Sequence, residues 1–323
     1  MGTLLAIDGN SLAHRAFHAR AQDDPAGPYV TATFVHMLAT AWSHGPYDAV
    51  FVAFDGEGNR RKEVDAGYKA HRPLSPPGLR GQLDRLRELL AACGLAVART
   101  EGAEADDLLA AAVDACAARG WGCDVLSSDR DLTALVSGTV RLLRPRATMS
   151  DLVVDDIAGV RRAYGIDPWQ YTDLAALRGD PSDGLAGVRG IGPKTAARLL
   201  RDHGDVPGLY AALHDLPPKV EAALRAGRAQ VERNLLLMAP IPHIPIDEQA
   251  VFTAALDPGR VESVLEPLGL DAAARRLARA WASPPRPPMP EEPVGPAPAA
   301  ERLVPAARTV PAAPHVGEQG ALF

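Results

Sequence analysis

Cysteine is nearly absent from this chain: Cys93, Cys116 and Cys123 are the only three in 323 residues. An odd number without metal-ligand spacing offers neither a disulfide framework nor a thiolate site. No apolar run approaches the roughly 20 residues of a bilayer span, so no membrane partner is expected. The start, MGTLLAIDGN, runs straight into a strand pattern without signal-peptide features, and a reducing, cytoplasmic setting is expected. Positive charge is also short, with 34 Lys and Arg against 40 Asp and Glu and a net charge of −6. An average hides its distribution, however. Aromatic residues are missing between Ser283 and Leu322, where the chain turns Pro- and Ala-rich. Such a tail cannot build a core and is expected to be disordered, leaving about 280 residues for folded structure.

What the chain has is carboxylate in four short stretches. They are Asp8 (LLAID), Asp55 (VFVAFD), Glu104 with Asp106 and Asp107 (EGAEADD), and Asp129 with Asp131 (LSSDRD), followed by Asp180 and Asp183 (GDPSD). An Asp after a strand is often only a turn former or helix cap. Several of these groups, though, directly follow apolar runs that read as buried parallel strands, whose carboxyl ends share one crevice in open α/β sheets. Acids so gathered raise each other's pKa unless neutralised, and Mg²⁺ or Mn²⁺, which take oxygen ligands, would resolve that conflict. In the helix start at 104–107, spacing puts Glu104 and Asp107 on one face and Asp106 aside, so a fully ligating triplet there stays open.

Periodicity predicts strands at 4–8, 49–54, 95–99, 123–127 and 139–143 and helices at about 80–93, 104–119 and 155–164, with Asp155 as N-cap and Gly165 as the residue closing the last one. That alternation is α/β with a mainly parallel sheet. Residues 56–79 mix Gly, Pro and basic residues with Tyr68 and read as a lid-like segment over the strand ends. Two stretches are locally basic: eight Lys and Arg against three acids from Arg60 to Arg87, and eight against five from Gly187 to Asn234. The second holds Gly187-Val188-Arg189-Gly190-Ile191-Gly192-Pro193-Lys194-Thr195, a helix–hairpin–helix turn. Its glycines allow a tight turn that presents N–H groups, and Lys194 with Arg198 and Arg201 follows on one helix. The pattern suits the DNA backbone rather than the bases.

In order, the segments LLAIDGNSLAHRAFHA, VAFD, GYKAHRP, EGAEADDLLA, LSSDRDL and LRGDPSDGLAGVRGIGPKTAARLL resemble the bacterial 5′–3′ exonuclease and flap endonuclease family, whose nuclease also forms the N-terminal domain of DNA polymerase I. The likeness covers roughly residues 3–255. It implies a PIN-like core with a helical arch at 1–167, a helix-three-turn-helix DNA-binding region at 168–282, and the tail at 283–323. Carried over, Asp8, Asp55, Glu104 and Asp106 would hold one of two Mg²⁺ or Mn²⁺ ions and Asp129, Asp131, Asp180 and Asp183 the other, with Asp107 in support. Tyr68, Lys69 and Arg72 match the catalytic YKxxR segment. Arg15 and Arg61, with Gly190, Gly192, Lys194, Thr195 and Arg198 of the hairpin, would meet DNA, with K⁺ at the hairpin.

Departures from the pattern are Arg60 where an aromatic is usual, Thr33-Phe34 for Gly-Phe, and Gly184 and Ala186 for Asn and Pro. The resemblance implies a monomeric, stand-alone enzyme in primer removal and repair, acting on DNA with a 5′ flap, nick or free 5′ end, or on an RNA primer in a hybrid. A PIN-type ribonuclease would have no reason for the hairpin. A non-catalytic junction binder would have no reason to keep every acid. The last residues, Gln319 to Phe323, resemble the Gln-x-x-Leu-Phe peptide that docks on the sliding clamp, with Gln319, Leu322 and Phe323 as contacts.

Overall fold

The computed structural model describes residues 2–20, 29–72, 76, 78–253 and 256–282. The tail and its terminal peptide lie outside them. Six strands, β1 (Thr3–Asp8), β2 (Ala49–Phe54), β3 (Ala96–Arg99), β4 (Gly122–Leu126), β5 (Val140–Pro145) and β6 (Leu152–Asp155), form one sheet in the order β3-β2-β1-β4-β5-β6. All neighbours pair in parallel except β5 with β6. The apolar runs of β1 and β2 lack polar alternation because both sheet faces are covered. Period-2 geometry divides them. Leu5, Ile7, Val50 and Val52 face α1 (Gly9–Arg20), α2 (Tyr29–Trp42) and, after the short α3 (Arg61–Val64), α4 (Leu79–Ala92). Leu4, Ala6, Phe51 and Ala53 face α5 (Ala105–Arg119), and Val160 of α6 (Ile157–Tyr164) joins the same core.

A separate core of Tyr171, Leu174, Leu177, Val188, Ile191, Leu200 and Val231 builds the helical part. Its elements are α7 (Tyr171–Arg178), the two-stranded hairpin of β7 (Gly179–Asp180) and β8 (Leu185–Ala186), α8 (Pro193–His203), α9 (Val206–Ala211) and α10 (Pro218–Met238). The expected extent of this region, 168–282, is too long. After α10 the chain returns to the nuclease core as α11 (Glu248–Thr253), α12 (Pro258–Leu265) and α13 (Asp271–Ala282). Val251 of α11 enters the α5 side. Val261, Leu265, Ala274 and Leu277 enter the α1–α2 side, and Trp281 stacks on Trp42 at 3.7 Å. Their apolar stripes belong to the first core, so the hairpin region ends near residue 238.

Two further corrections are local. The N-cap of α6 is Asp156, which accepts from the Gly159 N–H, while Asp155 closes β6 and pairs with Arg144 at 2.5 Å. Gly165, at φ 71, closes the helix as expected. In the segment matched to a helical arch, the described residues hold one four-residue helix, α3.

Candidate active site

β1, β2 and β4 run parallel, so their carboxyl ends meet at one edge. Asp8 closes β1, 6% exposed, and accepts from the Ser11 N–H at 2.8 Å and the Ser127 hydroxyl at 2.7 Å. Asp55 follows β2 and accepts from Asn10 Nδ2 and the Ala105 N–H, both at 2.9 Å. Asp129 follows β4, donates its N–H to the Ser127 hydroxyl and accepts the N–H of Asp131 at 2.9 Å. Asp180 and Asp183 arrive on the β7–β8 hairpin, where Asp180 takes the N–H and hydroxyl of Ser182. Asn10 and Ser127, which tie these groups together, were not singled out from the sequence. Their signal was adjacency alone, since each lies two residues from an acid already named.

The groups influence one another. Burial, then repulsion from Asp55 and Asp129, pushes the Asp8 carboxyl up to about 7. Burial, then Asp129, Asp183 and Asp180, pushes Asp131 up to about 8. Asp106 is raised by burial and by Asp129 and Asp8, and Asp55 by burial and Glu104. Among the described residues, no three His, Cys, Asp or Glu side chains already converge as a ready ligand set. Hydroxyls, amides and cations hold them apart. An all-oxygen donor set with this surplus of negative charge fits hard divalent cations, with side-chain adjustment on entry.

Protein cations balance part of that charge. Lys69 Nζ sits 2.6 Å from Glu104 Oε1 and 3.8 Å from Asp183 Oδ2. Burial lowers the Lys69 ammonium, yet Glu104 and Asp183 outweigh it and leave its pKa raised. Arg72 donates to Asp183 Oδ1 at 2.6 Å and to the Ser182 carbonyl at 3.0 Å. The Tyr68 hydroxyl donates to Glu104 Oε2 at 3.0 Å, and its ring is buried with Leu185 and Leu237. Lys69 itself is held at φ 52, its N–H donated to the Asp183 carbonyl, a left-handed conformation that costs a non-glycine residue about 1 kcal/mol or more. This stretch is anchored in the cleft wall rather than lying over it as a lid.

Two expectations are corrected, the helical-spacing reading at 104–107 and the DNA contact of Arg61, and Arg15 is placed. Asp107 is fully buried and faces away from the cluster, while Asp106 faces into it. The reason is that Glu104 is extended (φ −93, ψ 163) as the helix N-cap, so helical spacing does not govern it, and Asp107 reaches back to cap its N–H. Arg61, 6% exposed, is forked on Asp107 and is closed to DNA. Arg15 donates to the Arg146 carbonyl and lines a cavity of about 440 Å³ with Thr33, Met149 and Arg276, apart from the carboxylates.

In the hairpin, Val188 and Ile191 are buried. Gly187 allows a close approach, since a Cβ there would stand 2.1 Å from the Arg178 carbonyl. Gly190 turns at φ 85 with open space around it, and Gly192 precedes Pro193 at the start of α8. Lys194 and Arg198 are exposed and Thr195 is half-buried; among the described residues neither cation forms an ion pair. Backbone N–H groups and free cations thus share one surface.

A mainly parallel α/β sheet with this acidic edge thus stands beside a helical hairpin whose exposed cations form no ion pair among the described residues. The chain belongs to the 5′–3′ exonuclease family: residues 3–165 match its N-terminal resolvase-like domain and residues 166–254 its C-terminal SAM fold. Among similar proteins, DNA polymerase I of Mycobacterium leprae is 39% identical over 249 residues, 75% of this chain and 27% of that protein. The thermostable DNA polymerase I of Thermus aquaticus is 33% identical over 271 residues, 83% of this chain and 32% of that one. The chain therefore spans about a third or less of these relatives' length. The bacteriophage T5 D15 protein, crystallised with metal ions, has the same fold, with a TM-score of 0.61 at 22% identity, covering 86% of this chain and 99% of its own. Human GEN1 in complex with Holliday junction DNA gives a TM-score of 0.56 at 13% identity, covering 87% and 71%. No helix among the described residues is long and apolar enough to cross a membrane.

Proposed function

We propose that this chain is a structure-specific 5′ nuclease that hydrolyses DNA phosphodiesters at a 5′ flap, a nick or a free 5′ end. The observation that carries it is the placement of Lys69, Arg72 and the carboxylates of five chain segments around one cleft beside the hairpin. Asp8, Asp55, Glu104 and Asp106 would hold one Mg²⁺ or Mn²⁺ ion, and Asp129, Asp131, Asp180 and Asp183 the second. When bound, the ions activate water and neutralise charge at the scissile phosphate. Lys69 and Arg72, which border the same carboxylates, would stabilise the charge that develops on the phosphate. Tyr68 keeps Glu104 oriented. Gly190, Gly192, Lys194, Thr195 and Arg198 would grip the duplex phosphates, with K⁺ at the hairpin. Specificity follows from strand shape, since the acidic cleft has no means of reading bases.

RNA primers in hybrids, replication and repair, a cytoplasmic monomer, and docking on a sliding clamp through Gln319, Leu322 and Phe323 complete the reading. The test is cleavage of a 5′-flap duplex with Mg²⁺ and with chelator. Cleavage is expected with Mg²⁺ alone. Asp129→Asn, between Asp8 and Asp131, removes most of the rate while DNA affinity holds, and Lys69→Met lowers turnover more than binding. Cleavage that persists in chelator, or near-normal turnover of Asp129→Asn, overturns the reading.

A further inference from the structure

Arg61 was expected to touch DNA, yet it is one of the most fully engaged side chains in the molecule. Its Nη1 and Nη2 fork onto Asp107 at 2.9 and 2.7 Å, its Nε donates to the Leu237 carbonyl at 2.7 Å and its Nη2 to that of Ala239 at 3.0 Å. Nη1 also stands 3.1 Å from Glu104 Oε2. Asp107 in turn accepts the Glu104 N–H at 2.9 Å and the Ile241 N–H at 2.8 Å. With four donors on its two oxygens it has no lone pair to offer a cation. Three chain segments therefore meet on one buried ion pair: the base of the 56–72 stretch, the start of α5, and the chain leaving α10.

The start of α5 carries Glu104 and Asp106. From the other side, Asn234 of α10 donates to the Ala176 and Ala186 carbonyls, both at 2.9 Å, which ties α10 to the hairpin. We infer that Arg61 is a positioning residue that sets the metal affinity of the cleft, by fastening the α5 N-terminus and the orientation of Glu104 to the end of α10. This rests on the two-ion reading of the cleft and adds a residue that touches neither ion nor DNA. A lysine keeps the charge but cannot reproduce a planar fork that meets a carboxylate and two carbonyls at once.

Arg61→Lys is the first variant. Arg61→Met with Asp107→Asn is the second, because it leaves no buried charge unpaired. Mn²⁺ is titrated calorimetrically into the DNA-free full chain, and flap-duplex binding is measured separately in chelator. Partners one step behind the ligands typically govern metal affinity by roughly 10- to 100-fold, so Mn²⁺ binding is expected to weaken by about 10-fold or more in both variants, with DNA binding held within about twofold. The Mg²⁺ concentration for half-maximal cleavage should rise in step, which a simple loss of folded protein would not cause. Mn²⁺ affinity within about twofold of the parent in either folded variant overturns the inference. So does DNA binding that weakens while metal affinity holds, which would return Arg61 to a phosphate contact. Failure of the parent itself to take up Mn²⁺ overturns the two-ion reading, and this inference with it.

Discussion

The Asp8 carboxyl titrates near 7 and that of Asp131 near 8, against an ordinary aspartate value of 3.8. Both bind protons more tightly in the folded chain than in the unfolded one. Their contribution to stability is whole below the unfolded value and is lost as pH rises through about 7 to 8. Denaturant unfolding in chelator should therefore show falling stability between about pH 5 and 8.5, and saturating Mg²⁺ should offset the fall, because an ion that binds only the fold stabilises it most where the acids are ionised. Rising stability over that span in chelator would contradict the crowding of these groups. At this scale the sequence was legible wherever a carboxylate followed an apolar strand, as with Asp8, Asp55 and Asp129. It misled at 104–107, where the spacing rule for a helix was applied to a residue that stands just outside it. It misled again at Arg61, whose charge pointed to solvent and DNA while its partner, Asp107, lay 46 residues on.

Among the elements, the hairpin and α8 carry the clearest consequence. Lys194 is exposed at the first turn of α8, where the N–H groups point outward, and it contributes charge without base recognition. Lys194→Ala is expected to weaken binding of every DNA sequence alike and to lower the salt slope by roughly 1. An unchanged slope would show that no phosphate meets it. The five parallel strands and α4, α5 and α6 were legible because continuous apolar runs and 3.6-residue periodicity mark them. β6 was not, since a four-residue edge strand, LVVD, with mostly half-buried positions has little pattern to read. α2 escaped for the opposite reason: it is apolar on most of its surface, packed between α1 and α13, and gives weak amphipathic contrast. The return of α11, α12 and α13 to the first core depends on contacts far along the chain, which no local window contains.

Across the whole molecule, the tail and the cleft make separable demands. Deleting Gln319 to Phe323 should abolish clamp binding and clamp-stimulated cleavage and leave basal flap cleavage intact, because tethering raises local concentration without altering the cleft. Clamp binding retained by the truncated protein would refute the docking peptide. The site itself cannot be truncated in that way. Asp8 is held by Ser127, 119 residues later, and Asp183 reaches Arg72 across 111. Contacts so distant in sequence form late, after the intervening loops close. During synthesis, then, the first three strands emerge from the ribosome bearing Asp8 and Asp55 but no cleft. On the proposed reading, a nascent chain has no complete cleft, and so no means of cutting nearby nucleic acid, until the β7–β8 hairpin that carries the last two acids has been made.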